Sequence, residues 1–105
     1  MTEQIWTHTV DRNADECTVV LGGELDLSIR DALLDVFTAQ LEQPGTSVVR
    51  VDLAAVTFLD STILSVFVNA YQKAQGLARR FTVINPRGLP QRSLEATGLL
   101  RLLSP

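Results

Sequence analysis

The sequence predicts a single α/β domain, with a small mixed sheet of four or five strands and helices packed mainly on one face. Apolar, β-branched runs alternate with segments whose apolar residues recur at helical spacing, in the order ββαβαβα. Short links join a strand, a helix and a strand between Val48 and Ile84, which predicts a right-handed parallel crossover. The chain has 105 residues with no linker or repeat, so residues 1–105 are expected to form one domain.

The first two strands are predicted to form a hairpin. Ile5–Val10 and Cys17–Leu21 are rich in apolar and β-branched residues, and the polar segment 11–15 between them is rich in turn formers. Gly22 and Gly23 are expected to end the second strand, because glycine tolerates backbone dihedrals that other residues avoid.

The first helix is predicted to begin at Ser28, which would act as its N-cap, with the carboxylate of Asp31 in the first turn. Pro44 and Gly45 stop this helix. Val48–Leu53 follows as the third strand, because Val and Leu alternate there with charged residues.

The most informative stretch is the second helix, which the sequence places directly after Asp60. Aspartate is one of the best N-cap residues, so Ser61 is expected at the first helical position, exposed near the positive end of the helix dipole. Apolar residues from Ile63 to Ala74 cover one broad arc of this helix, and Gly76 is a candidate C-cap. The arrangement favours a recognition or modification site; a plain helix cap is the alternative.

The last third of the chain is predicted to contain a strand and a helix. Phe81–Ile84 is the fourth strand, and a turn over residues 85–88 leads into a helix over Leu89–Thr97. The apolar segment Leu99–Leu103 is expected to add an edge strand or to dock as a tail.

Composition limits the cellular setting and the classes of function. Cys17 is the only cysteine, so neither an internal disulfide nor a thiolate metal cluster is expected. This cysteine usage predicts a cytoplasmic location. Neither a signal peptide nor an apolar run of membrane-spanning length is visible, so membrane insertion is not expected. The net charge is −3, but it is unevenly distributed. Residues 1–60 include 11 acidic and 3 basic residues, whereas residues 61–105 include 1 acidic and 6 basic residues.

Catalytic and metal-binding motifs are largely missing. His8 is the only histidine, which disfavours a Ser-His-Asp triad and the common zinc sites. Four carboxylates could still converge at one end of a parallel sheet and bind Mg²⁺ or act as acid and base: Glu24, Asp26, Asp52 and Asp60. The arginines after residue 78 are not interleaved with aromatic residues, so direct nucleic-acid binding is not expected.

Five segments together resemble the STAS domain, the module shared by sulfate transporters and bacterial anti-sigma factor antagonists. They are Gly23–Asp26 (GELD), the strand Val48–Leu53, Phe58–Thr62 (FLDST) with Leu64, Val83–Pro86 (VINP) and Thr97–Leu99 (TGL). They occur in the family's order and extend the resemblance over about residues 5–103. The pairing of G-E-L-D with D-S-[ST] is the more specific part.

The resemblance implies a freestanding anti-sigma factor antagonist that works by partner switching and is not an enzyme. Ser61 would be the phosphoacceptor of an anti-sigma factor that is also a serine kinase, and a PP2C-type phosphatase would reset the switch. The unphosphorylated form would bind the anti-sigma factor and free a sigma factor. Asp26 would orient Ser61, and Glu24, Asp60 and Thr62 would contribute to partner binding. No cofactor or metal is implied.

One residue departs from the family pattern, which usually has glycine after D-S-[ST]. This chain has Ile63 there, and the branched side chain is expected to pack partly under a neighbouring loop and partly towards the partner. Two alternatives remain open. The chain could be a STAS subunit of a transport or lipid-handling ABC-type assembly without a phosphoswitch, or a small enzyme or nucleotide binder that uses the four carboxylates.

Overall fold

A four-stranded mixed sheet with its helices packed on one face organises residues 5–105, the part of the chain that the structure describes. The structure is a computed structural model. The elements are β1 (Trp6–Asn13), β2 (Glu16–Leu25), α1 (Arg30–Glu42), β3 (Val48–Leu59), α2 (Ser61–Gly76), β4 (Arg80–Ile84), α3 (Gly88–Ala96) and α4 (Leu99–Leu103). The strand order is β1-β2-β3-β4; β1 is antiparallel to β2, and the other two neighbouring pairs are parallel. This confirms the predicted fold class.

The core lies between the sheet and the helices. Along β2 the side chains of Cys17, Val19 and Leu21 are fully buried, whereas Thr18 and Val20 between them are partly exposed. Successive side chains of a strand point to opposite faces, so only one face of the sheet is covered by helices. Burial in this apolar core also raises the pKa of the Cys17 thiol.

Three phenylalanines fix the position of α2 in this core. Phe67 of α2 lies 5.7 Å from Phe37 of α1 and 6.4 Å from Phe81 of β4, measured between ring centroids. Phe37 and Phe81 are 5.1 Å apart in an edge-on arrangement. Each such pair adds about 0.5–1.5 kcal/mol beyond the burial of its surface. The cluster therefore holds α2 against both its neighbouring helix and the sheet.

The prediction that Gly22 and Gly23 end the second strand was wrong. β2 continues to Leu25, and the register with β3 shifts on both sides of the two glycines. Gly23 has a φ of +84°, and a Cβ built there would lie 2.1 Å from the Ile5 carbonyl oxygen. Glycine is required because the bulged strand turns sharply next to another backbone, not because the strand stops.

Two further element boundaries differ from the prediction. Ser28 is not the N-cap of α1: Asp26 caps a single 3₁₀ turn over Leu27–Ile29, and α1 begins after it at Arg30. The third strand runs to Leu59 rather than Leu53, so no loop separates it from Asp60.

The chain also reverses differently at two later points. Gly76 is the last residue of α2 and does not cap it; the chain turns at Leu77 and Ala78, and Ala78 has a φ of 56°. The segment Leu99–Leu103 forms the short helix α4 and not an edge strand. Its Leu103 is fully buried, so the expectation that the segment docks on the core is the correct one of the two.

Candidate functional site at the start of α2

Ser61 is the first residue of α2 and is exposed, as the sequence predicted. β3 delivers it directly, because the strand extends to Leu59 and only Asp60 lies between strand and helix. The Asp60 backbone is extended, and its Oδ1 atom accepts a hydrogen bond of 3.0 Å from the Ile63 N–H group. This is a normal N-cap, and it fixes the direction in which the Ser61 side chain projects from the first turn of the helix.

The second carboxylate oxygen of Asp60 holds the neighbouring strand end. Oδ2 accepts from the Leu27 N–H group at 3.1 Å, and the Asp60 N–H group donates to the Leu25 carbonyl at 3.3 Å. Both oxygens of Asp60 are thus occupied by backbone donors from two different elements. The contacts tie the turn after β2 to the first turn of α2.

Asp26 has a similar role one strand away. Its Oδ1 atom accepts from the Ser28 N–H group at 2.9 Å and from the Ser28 hydroxyl at 2.5 Å. These two donors favour the charged form and lower the pKa of the Asp26 carboxyl below its usual range, the hydroxyl being the larger cause. Within residues 5–105, the side-chain hydrogen bonds of Asp26 are made to Ser28, and none joins Asp26 to Ser61.

The acidic residues lie at one edge of the sheet, because β2 and β3 are parallel. Leu25 pairs with Leu59, so Asp26 and Asp60, the next residues, emerge side by side. Glu24 is exposed and lies opposite Phe58. Glu24, Asp26 and Asp60 form an acidic rim next to Ser61. The sequence predicted that Asp60 caps α2, but it did not predict that Ser28 donates to Asp26.

The expected convergence of all four carboxylates is not seen. Asp52 lies further back in β3, where its Oδ1 atom accepts from the Ala54 N–H group at 2.9 Å. Among residues 5–105, no three His, Cys, Asp or Glu side chains are arranged so that they could hold a metal ion. The parallel strands bring Asp26 and Asp60 together but leave Asp52 behind.

Ile63 belongs to the core and does not face a partner. Its exposed fraction is 0%, so the prediction that part of the side chain faces a binding partner was wrong. Successive helical residues are about 100° apart, which turns position 63 to the sheet when Ser61 faces solvent. Thr62, between them, is half-buried. Ile63 can affect binding only through the stability of the first helical turn.

A shallow groove of about 470 Å³ begins at Ser61 and follows the exposed face of α2. Leu99 and Thr97, at the junction of α3 and α4, form its other wall. The lining residues are all uncharged: Ser61, Leu64, Ser65, Val68, Asn69, Gln72, Thr97 and Leu99. Val68 lines the groove, whereas Val66 of the same helix is fully buried.

The sequence did not predict the apolar side chains around the acidic rim. Leu27 is 65% exposed and Phe58 is 40% exposed, although both would normally be buried. The available signal was a lone leucine in the polar turn after Asp26. The groove wall at Thr97 and Leu99 could not be found from local pattern, because it exists only where α3 and α4 pack beside α2.

No helix within residues 5–105 is both long and apolar enough to cross a membrane. The family model described as "Mlab, STAS domain" matches residues 8–104. The chain belongs to the STAS domain family. This confirms the resemblance of the GELD and FLDST segments to that family, in a chain whose fold agrees with it.

Solved structures show the same STAS fold. An anti-sigma factor antagonist from Mycobacterium paratuberculosis is 26% identical, with a TM-score of 0.82 over 93% of this chain and 82% of that chain. A protein from Thermotoga maritima that is described as a candidate anti-sigma factor antagonist is 21% identical. Its TM-score is 0.77 over 92% of this chain and 83% of that chain. The antagonist SpoIIAA in its unphosphorylated form is 16% identical, with a TM-score of 0.80 over 90% and 84%. No curated protein matches the sequence significantly.

Proposed function

We propose that this STAS protein is a cytoplasmic anti-sigma factor antagonist that switches partners through phosphorylation of Ser61. The unphosphorylated form binds an anti-sigma factor that is also a serine kinase, and a sigma factor is released. The observation that carries the proposal is the position of Ser61, which is exposed on a capped first turn at the end of an uncharged groove. The similarity to anti-sigma factor antagonists supports it.

The groove is suited to a partner while Ser61 carries a neutral hydroxyl. Apolar and amide side chains line it, and contact with Leu64, Val68 and Leu99 would release water without burying a charge. Leu27 and Phe58, on the adjacent rim, offer further apolar area. Glu24 is exposed beside them and would steer a basic partner, since rim charges act mainly on association rate.

A phosphate at Ser61 would change this surface without unfolding it. The group adds a charge of about −1.5 to −2. The helix N-terminus favours an anion, but the Asp60 carboxylate is next to it and cannot turn away without losing two backbone hydrogen bonds. The Ile63 N–H group is already engaged by Asp60. The phosphate therefore stays largely exposed and unneutralised at the end of the groove.

The cost of docking then rises steeply. A partner that covers Ser61 must desolvate the new charge beside Asp60, and two unit charges about 4 Å apart repel by about 4 kcal/mol at an intermediate dielectric. Since each 1.4 kcal/mol is about tenfold in affinity, a loss of 100-fold or more is expected with no change of fold. A PP2C-type phosphatase would restore binding by removing the phosphate.

The proposal is tested with a purified anti-sigma factor kinase from the same organism. The protein is incubated with kinase and ATP, the phosphate is mapped by mass spectrometry, and binding of Ser61→Ala, Ser61→Asp and Thr62→Ala is measured by calorimetry. We expect phosphate on Ser61, binding by Ser61→Ala and loss of binding by Ser61→Asp. Phosphate on Thr62 alone, or wild-type affinity of Ser61→Asp, would refute the switch.

The second candidate is a STAS subunit of a transport or lipid-handling ABC-type assembly. The uncharged lining of the groove favours this candidate, because a permanent partner could cover such a surface. Ser61 would then be only one of the contact residues. The two candidates differ in one measurement. A permanent subunit would co-purify with an ATPase and keep its Ser61 unmodified in cells, whereas an antagonist would show a phosphorylated fraction that changes with growth conditions.

A further inference from the structure

A second concave site lies at the free edge of β4, near the last turns of α2. It is a cleft of about 220 Å³ between α2 and α4. β4 pairs only with β3 in the part of the chain that the structure describes, so the other edge of β4 faces this cleft. The lining residues are Tyr71, Gln75, Arg79, Arg80, Phe81, Thr82, Leu102 and Ser104.

The polar groups of the cleft are mainly hydrogen-bond donors. Arg79 donates through one terminal nitrogen to the carbonyls of Leu41 and Gln43, and its guanidinium makes no other hydrogen bond or ion pair among residues 5–105. Arg80 is exposed and forms no ion pair within the same residues. The Tyr71 hydroxyl oxygen accepts from the Gln75 amide at 2.9 Å, so its own proton is available. Among the residues that the structure describes, no acidic side chain lines the cleft.

Thr82 provides an independent indication that something binds here. It is only 5% exposed, and its hydroxyl oxygen is the one buried side-chain polar atom within residues 5–105 that has no hydrogen-bond partner. A buried hydroxyl without a partner costs about 1–3 kcal/mol, and native structures contain few of them. The hydroxyl oxygen itself has almost no exposed surface, but Thr82 lines the cleft, so a rotation of its side chain would let the hydroxyl donate to a ligand atom bound there.

We propose that this cleft is an oxyanion-binding site, in which Arg80, Arg79, the Tyr71 hydroxyl and the Thr82 hydroxyl bind a phosphoryl group or a carboxylate. Two guanidinium groups with no acid beside them give an excess of positive charge, and charge-assisted hydrogen bonds to oxyanions are about twice as strong as neutral ones. The volume suits a small anionic group at the end of a larger ligand. The site is separate from Ser61, which lies at the opposite end of α2.

The experiment is an NMR titration of isotopically labelled protein at constant ionic strength, with inorganic phosphate in one arm and acetate in the other. We expect saturable shifts at the amides of Phe81 and Thr82 with a millimolar Kd. Arg80→Gln should raise this Kd about tenfold, the loss of one charge-assisted hydrogen bond. The matched control is Arg92→Gln, which removes the same charge from an exposed position on α3 and should leave the Kd unchanged.

Thr82→Val separates a binding role from a structural one. Valine has the shape of threonine without the hydroxyl, so the free protein should melt at a higher temperature while phosphate binding weakens at least about threefold. Tighter binding of phosphate than of acetate would assign a phosphoryl group, and the reverse a carboxylate. The proposal is overturned if neither anion gives saturable shifts, if Arg92→Gln weakens binding as much as Arg80→Gln, or if Thr82→Val leaves the Kd unchanged.

Discussion

The two faces of α2 have different surroundings, although their residues are interleaved along the sixteen positions of the helix. One face is closed by the core, where Ile63, Val66 and Phe67 are all 0% exposed. The other face is open along the groove, where Ser61, Ser65 and Asn69 are exposed and succeed one another at a spacing of four residues. Under the proposed function, the buried face of α2 would supply stability and the groove face would supply recognition. Substitutions should be able to affect one and leave the other intact.

The largest expected effect is on the core face. Ile63→Ala removes three buried carbons from the first turn of α2 and should lower the free energy of unfolding by about 2–5 kcal/mol. Urea unfolding measures this, with Thr62→Ala as a neighbouring, half-buried control that should cost less. Affinity for the partner, measured on the folded fraction, should stay near that of the wild type. A stable Ile63→Ala protein that no longer binds would mean that Ile63 faces the partner after all.

Ile63 also shows where sequence reasoning reached its limit. The Asp60 cap and the start of α2 could be predicted, because both depend on residues within one helical turn of each other. The turn around Asp26 could not, since Ser28 is an equally good N-cap in isolation and Asp26 prevails only through its two bonds to Ser28. The burial of Ile63, the bulge at Gly23 and the groove wall at Leu99 all depend on elements distant in sequence.

The next effect concerns the groove face. Ser65→Glu places a charge in the middle of the uncharged groove at an exposed helical position, so it should leave the unfolding free energy within about 0.5 kcal/mol. Partner affinity should fall about 100-fold, because the carboxylate would be buried without a counter-ion. Ala39→Glu, at an exposed position on α1, is the matched control and should bind normally. Equal binding by both variants would place the partner elsewhere.

Asp60 joins the two faces, since its carboxylate caps α2 and also holds Leu27 on the rim. Asp60→Ala loses both contacts and should destabilise the protein by about 1–2 kcal/mol. Asp60→Asn keeps an oxygen for the Ile63 N–H group but replaces the acceptor for the Leu27 N–H group with an amide nitrogen. We expect it to be more stable than Asp60→Ala, with faster hydrogen exchange at Leu27 alone. If the two variants are equally unstable, the contact with Leu27 carries most of the stability.

The smallest expected effect is at Asp26, where pH should report the contact with Ser28. The folded-state pKa of Asp26 is lowered, so its contribution is present at neutral pH and is lost as the pH falls below the unfolded value of about 3.9 towards the folded one. Ser28→Ala removes the hydroxyl, which is the donor with the larger effect on the pKa of Asp26, and keeps the Ser28 backbone N–H group. The pKa of Asp26 should therefore rise towards its usual value. Carboxyl NMR titration measures this directly.

Urea unfolding gives a second measurement of the same contact. Because the pKa of Asp26 is lowered less in the variant, the urea midpoint of the variant should fall less than that of the wild type between neutral pH and pH about 3. Binding to the groove should not change at neutral pH, where Asp26 is charged in both proteins. An unchanged pKa in Ser28→Ala would show that the hydroxyl does not donate to Asp26 in solution, and that the turn after β2 is held by Asp60 and the backbone contact alone.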